Sequence, residues 1–150
     1  MPHKLRLFRP LQNGAREADA FGEGHFGASR GNRKHKGIDF LATPGERVGS
    51  PCDGVIRRIG RCYGDTPEYK LIEIDTDGAL VRVFYVDANV APGDRVFDRS
   101  TLGYAQDIAA RYGNGMDNHV HLEVRLTKHV LVGRGRSPNE AVWVDPHLFF

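Results

Sequence analysis

The sequence predicts an all-β domain built from antiparallel sheet, and three observations carry that prediction. Short runs rich in β-branched and aromatic residues recur along the chain between Gly, Asp and Pro turns. Val81-Arg82-Val83-Phe84-Tyr85 alternates with a period of two, as a strand with one buried face must. Thr76-Asp77-Gly78 lies between two such runs as a tight hairpin turn.

Taken in order, residues 1–20 read as an amino-terminal extension, and Gln12 to Lys34, rich in Gly, Arg and small residues, as loop bordering a site. Ile38 with Phe40-Leu41 begins the first core strand, and Val48, Val55-Ile56, Leu71 to Ile74 and Leu80 to Val86 continue the sheet. Asp107 to Tyr112 has the composition of one or two helical turns, stopped by Gly113-Asn114-Gly115. Val120 to Val124 is the last long run, with Leu122 and Val124 on its buried face. The aromatic tail, Val142 to Phe150, packs back on the sheet, with Pro146 ending its strand.

A length of 150 residues fits one domain, which buries about two-thirds of its unfolded surface. The formal charge of +2 lacks the basic bias of a nucleic-acid binder, so no nucleic-acid partner is expected. Arg30, Arg33-Lys34 and Arg57-Arg58 read as solvated faces. The amino terminus scatters charges among its few apolar residues, giving no signal-peptide core and no membrane span. Cys52 and Cys62 flank what reads as one strand, or a strand and a turn. An extended ten-residue separation spans ~30 Å, whereas a disulfide requires Cα atoms within ~7 Å, so the path of that stretch decides whether they are bridged.

Two histidine clusters carry the chemistry. In Asn118-His119-Val120-His121-Leu122-Glu123-Val124, an extended backbone puts His119 and His121 on one face, with Glu123 beside them as a carboxylate that orients a ligand, a solvated acid or a partner of Arg125. Upstream, His35-Lys36-Gly37-Ile38-Asp39 places His35 and Asp39 four apart. A helix would align them, but Gly37 and β-branched Ile38 favour a loop ending at His35 and a strand carrying Asp39. Two imidazoles and a carboxylate leave tetrahedral zinc one open position for water. Taken singly, each cluster also suits hydrogen-bonding or solvated side chains; their coincidence favours one zinc ion per chain.

These residues resemble the lysostaphin-type zinc endopeptidases of bacterial cell walls, whose signature is His-x-x-x-Asp followed far downstream by His-x-His. Phe26-Gly27-Ala28-Ser29-Arg30 resembles the family's lead-in, Lys36-Gly37-Ile38-Asp39-Phe40 its ligand strand and Pro44-Gly45-Glu46-Arg47-Val48 its first core hairpin. Pro92-Gly93-Asp94-Arg95-Val96 and Leu102-Gly103 resemble later turns, and His119 to Arg125 the closing strand. The likeness covers residues 21–146 within a single peptidase-like domain of 1–150. It implies a duplicated-hybrid-motif-like antiparallel sheet with few short helices and a groove over the sheet. It also implies His35, Asp39 and His121 as zinc ligands and His119 as the general base for a metal-activated water. The implied reaction is hydrolysis of peptidoglycan peptide cross-links.

One departure stands out. The family carries a catalytic histidine in a Tyr-x-His strand, and the matching Tyr85-Val86-Asp87 puts Asp87 there. A carboxylate beside a developing oxyanion repels it unless protonated or re-paired, and losing one such donor costs about 10²- to 10³-fold in rate. Leukocyte cell-derived chemotaxin resembles this chain in lacking that histidine, so a weak or inactive zinc-binding module is the alternative implied. His25 in Gly24-His25-Phe26-Gly27 borders the groove in the family's pattern and offers a substitute group, while Tyr85 is a groove-wall candidate for substrate binding. Without a signal segment, action in the periplasm or cell wall implies delivery by a phage or secretion system. An immunity or carrier protein then becomes a further partner.

Overall fold

Packing of the alternating strands explains the architecture of the computed structural model, which describes residues 5–11, 29–30, 33–34, 37–113, 115–126 and 142–150. The strands are β1 (Ser29–Arg30), β2 (Arg33–Lys34), β3 (Gly37–Leu41), β4 (Arg47–Gly49), β5 (Gly54–Arg61), β6 (Lys70–Thr76) and β7 (Ala79–Phe84). They continue as β8 (Val86–Ala88), β9 (Arg95–Val96), β10 (Thr101–Ala105), β11 (His119–Leu126) and β12 (Val142–Val144), and a short helix, α1 (Ala109–Tyr112), precedes β11.

The large sheet runs β12-β11-β7-β6-β5-β9, and β3 joins it on β11. β7 lies along His121 to Leu126 of β11, so β3 and β12 share its other edge: β3 faces His119 to Glu123, and β12 faces Val124 to Leu126. A second sheet has the order β4-β10-β8. Every strand pairing among the described residues is antiparallel, as the sequence predicts.

The even-numbered face of β11, with Val120, Leu122 and Val124, is buried together with Ile38, Phe40, Ile72, Ile74, Val81 and Val83. The same apolar cluster takes in Val48 on β4, Leu102 on β10 and Val86 on β8, so the core lies between the two sheets. Each such side chain contributes about 1.5–3 kcal/mol on burial, which makes a one-residue slip of β11 costly and holds its odd-numbered residues on the opposite face. The Asp77-Gly78 reversal joins β6 to β7, with Gly78 at φ 77°, and Gly113 at φ 88° closes α1. β12 returns along β11, and Pro146 begins a 3₁₀ turn, Pro146–Phe149.

Four expectations change. The stretch read as loop up to Lys34 contains the small β1–β2 ladder. The amino-terminal extension is partly core, because Leu7 and Leu11 are buried and the Leu7 N–H donates to the Phe149 carbonyl at 2.8 Å. Arg58 is not merely solvated: a register shift between Ile56 and Arg58 brings it opposite Glu73. The run Leu80 to Val86 is two strands in different sheets, broken at Tyr85, whose φ of 70° is left-handed. Cys52 and Cys62 are free thiols at opposite ends of the eight-residue β5, and burial pushes both up to about 12.

Candidate metal-binding and catalytic site

The β3–β11 register sets the site. His121 lies directly opposite Asp39 on one side and Phe84 of β7 on the other, while His119 lies opposite Leu41. Cross-strand partners project to the same face, so Asp39, His119 and His121 gather on the side of the sheet away from the core. All three are at least nine-tenths buried.

His121 is held at both ring nitrogens: Nδ1 stands 2.6 Å from Asp39 Oδ1, and Nε2 3.0 Å from Glu123 Oε1. The Phe84 ring meets it edge to face at a centroid distance of 4.9 Å. Burial alone lowers the His121 pKa, but hydrogen bonds to Asp39 and Glu123 outweigh it and raise the value to about 9. Behind Glu123 runs a ladder of charge across β11, β7, β6 and β5. Arg82 Nη1 is 3.9 Å from Glu123 Oε2, Arg82 Nε is 3.0 Å from Glu73 Oε1, and Arg58 Nη2 is 2.6 Å from the same Glu73 oxygen.

His119 is oriented differently. Its Nδ1 lies 2.7 Å from the Asp117 carbonyl oxygen, which can only accept, so Nδ1 carries the proton in the neutral ring. Nε2 then faces the centre of the group, 3.7 Å from Asp39 Oδ2. The Tyr85 ring stands edge to face against His119 at 5.3 Å.

The carboxylate of Asp39 and the imidazole of His121 are buried together on adjacent strands, a donor set that suits zinc. Glu123 completes the arrangement: by accepting from Nε2 it directs the Nδ1 lone pair of neutral His121 toward Asp39. No group of three His, Cys, Asp or Glu side chains able to hold a metal occurs among the described residues, and His35, the expected third ligand, lies outside them. His25 also lies outside the described residues.

The structure therefore brings together Asp39, His119, His121 and Tyr85 from the sequence-derived set. Asp87 is exposed on β8, opposite Tyr104 of β10, in the second sheet. The ladder of Glu73, Arg82 and Arg58 was missed by sequence reasoning. The available signal was charge interleaved with apolar residues in Val81-Arg82-Val83 and Leu122-Glu123-Val124, since register puts Glu123, Arg82 and Glu73 in one row.

The sequence profile of Peptidase family M23 matches residues 33–133, which include both histidine clusters. The chain belongs to that family. Its fold is shared with solved structures. Lysostaphin from Staphylococcus simulans is 18% identical with a TM-score of 0.63, over 98% of this chain and 55% of the other. A variant catalytic domain of the prophage-encoded EnpA from Enterococcus faecalis is 18% identical with a TM-score of 0.61, over 93% of this chain and 95% of that domain. Csd3 of Helicobacter pylori is 20% identical with a TM-score of 0.58, over 81% of this chain and 30% of the other. This M23 chain thus spans under a third of Csd3 and about half of lysostaphin, but nearly the whole EnpA domain.

Proposed function

We propose that this chain is a zinc-dependent endopeptidase that hydrolyses peptide cross-links of bacterial peptidoglycan, acting in the cell wall or periplasm. The observation that carries the reading is the pairing of Asp39 with His121 at 2.6 Å, with His119 beside them, in a chain of Peptidase family M23. Asp39 and His121 would hold the metal together with His35. Zinc, when bound, polarises the scissile carbonyl and makes a water molecule acidic enough to attack at neutral pH.

The protein's own groups then have distinct tasks. His119, protonated at Nδ1 through the Asp117 carbonyl, takes the proton of the attacking water at Nε2 and returns it to the departing amine. General acid–base assistance of this kind contributes about 10²- to 10⁴-fold. Glu123 holds His121 in the tautomer that a ligand requires, and Arg82 and Arg58 neutralise the carboxylates behind it.

Incubation of zinc-loaded protein with purified peptidoglycan, followed by mass spectrometry of the muropeptides, tests the reading. New cleaved stem peptides that vanish with chelator support it and name the bond; their absence from a sample holding one zinc per chain contradicts it. A second reading rests on Asp87, a carboxylate where the family pattern has a histidine. The chain is then a zinc-holding module that binds cell wall or a protein partner with little turnover.

A further inference from the structure

Tyr85 occupies a conformation that a tyrosine adopts at a cost. Its φ of 70° lies in the left-handed region, which disfavours a side chain, and a glycine or asparagine there would relieve the strain. The backbone is held from both sides, since its N–H donates to the Lys70 carbonyl at 2.8 Å and its carbonyl accepts from the Gln106 N–H at 2.9 Å. A chain crossing between two sheets needs the turn; it does not need an aromatic ring.

The ring has a specific use. It meets the His119 imidazole at 5.3 Å and 89°, on a residue whose Nδ1 is already engaged by the Asp117 carbonyl. The other side of Tyr85 is buttressed by Tyr63, nearly parallel at 13° with the two hydroxyl oxygens 3.1 Å apart, and Tyr112 donates to the Tyr63 hydroxyl at 2.7 Å. The Arg111 guanidinium lies 3.7 Å over the Tyr63 ring and pairs with Asp65 at 3.0 Å. α1 closes the circuit, because the Ala109 N–H donates to Asn118 Oδ1, on the residue immediately before His119.

We propose that Tyr85 is a positioning residue for His119: its ring edge, braced by Tyr63 and Tyr112, fixes the imidazole plane so that Nε2 points at the Asp39–His121 pair. This assigns the Tyr85 hydroxyl to Tyr63 rather than to substrate. It deepens the endopeptidase reading and rests on it for its kinetic consequence, but not for its geometry. An edge-to-face pair shifts an orientational equilibrium by about 2- to 10-fold, enough to bias a ring between orientations without creating the fold.

The test compares wild type with Tyr85→Phe and Tyr85→Leu by long-range ¹H–¹⁵N spectra of the histidine rings, alongside zinc content and hydrolysis of purified peptidoglycan. His119 should show a single Nδ1–H tautomer in wild type and Tyr85→Phe, and a mixture in Tyr85→Leu. With zinc content unchanged, Tyr85→Leu should lower kcat about 5- to 10-fold with KM altered less than about twofold, and Tyr85→Phe should stay within about twofold of wild type. An unaltered His119 signal in Tyr85→Leu would overturn the proposal, and so would a Tyr85→Phe defect as deep as that of Tyr85→Leu. Should Tyr85→Leu not fold, Tyr63→Leu, which removes only the brace, must loosen the same His119 signal or the proposal fails. Absence of hydrolysis in wild type would count against the endopeptidase reading alone, because the spectra decide the positioning without turnover.

Discussion

Asp39 and His121 are direct cross-strand partners on β3 and β11, and their side chains meet at 2.6 Å on the face of the sheet opposite the core. Residues more than eighty positions apart are thus placed by ladder register, with Leu122 and Ile38 locking the neighbouring pair into the core. The β3–β11 contact therefore sets the spacing of the two proposed ligands as well as closing this edge of the sheet.

Gly37 is the weak point of that contact. It lies opposite Glu123, and a Cβ there would collide with the Leu122 carbonyl. Gly37→Ala should push β3 away from β11, destabilise the protein by about 1–3 kcal/mol and lower zinc affinity at least tenfold. Chelator competition together with thermal melting checks both effects, and tight zinc binding by a normally stable variant would exclude this role for the register.

In the metal-free protein, His121 should be pH-sensitive in a defined direction. Its folded pKa of about 9 lies above the unfolded value of ~6.5, so its contribution is fully present below pH ~6.5 and lost as pH rises through about 9. That contribution is on the order of 3 kcal/mol. Urea unfolding of chelated protein at pH 6, 8 and 10 should show falling stability, and zinc affinity should rise over the same range because the ligand must shed its proton.

Glu73 should behave in the opposite sense. Burial raises its pKa, but the Arg58 hydrogen bond and the Arg82 charge outweigh that and leave it below the usual carboxylate range. Its stabilisation is present above pH ~4.5 and is lost as pH falls through the depressed folded value. Glu73→Gln should cost about 1–3 kcal/mol at pH 7, less at pH 4, while zinc is retained. Denaturation of the variant at both pH values measures the difference.

Asp87→His should restore the side chain of the family pattern at an exposed position on β8 that already tolerates a polar group. Hydrolysis is expected to rise by about 10²-fold or more if that histidine supplies an oxyanion donor, with little change in melting temperature. Initial rates of muropeptide release from both proteins decide it.

Much of this was legible in the sequence for physical reasons. The alternation in β11 assigns Leu122 and Val124 to the core and His119 and His121 to the site, because strand side chains have a fixed period of two. Gly78 and Gly113 are read correctly because the turns they make need positive φ. Strand pairing was not legible: nothing local in Ile38-Asp39-Phe40 says that β11, rather than another strand, lies beside it. Tyr85 hides the break between β7 and β8, since its residue type favours a strand and only packing from both sheets holds it left-handed. The Arg58–Glu73 pair depends on a bulge with no sequence mark.

Zinc content and peptidoglycan hydrolysis, measured together in wild type, His119→Ala and His121→Ala, separate the ligand role of His121 from the base role of His119. About one zinc per chain and turnover are expected in wild type, zinc without turnover in His119→Ala, and loss of both in His121→Ala. Hydrolysis that survives in both variants, or full zinc occupancy in His121→Ala, would contradict these roles.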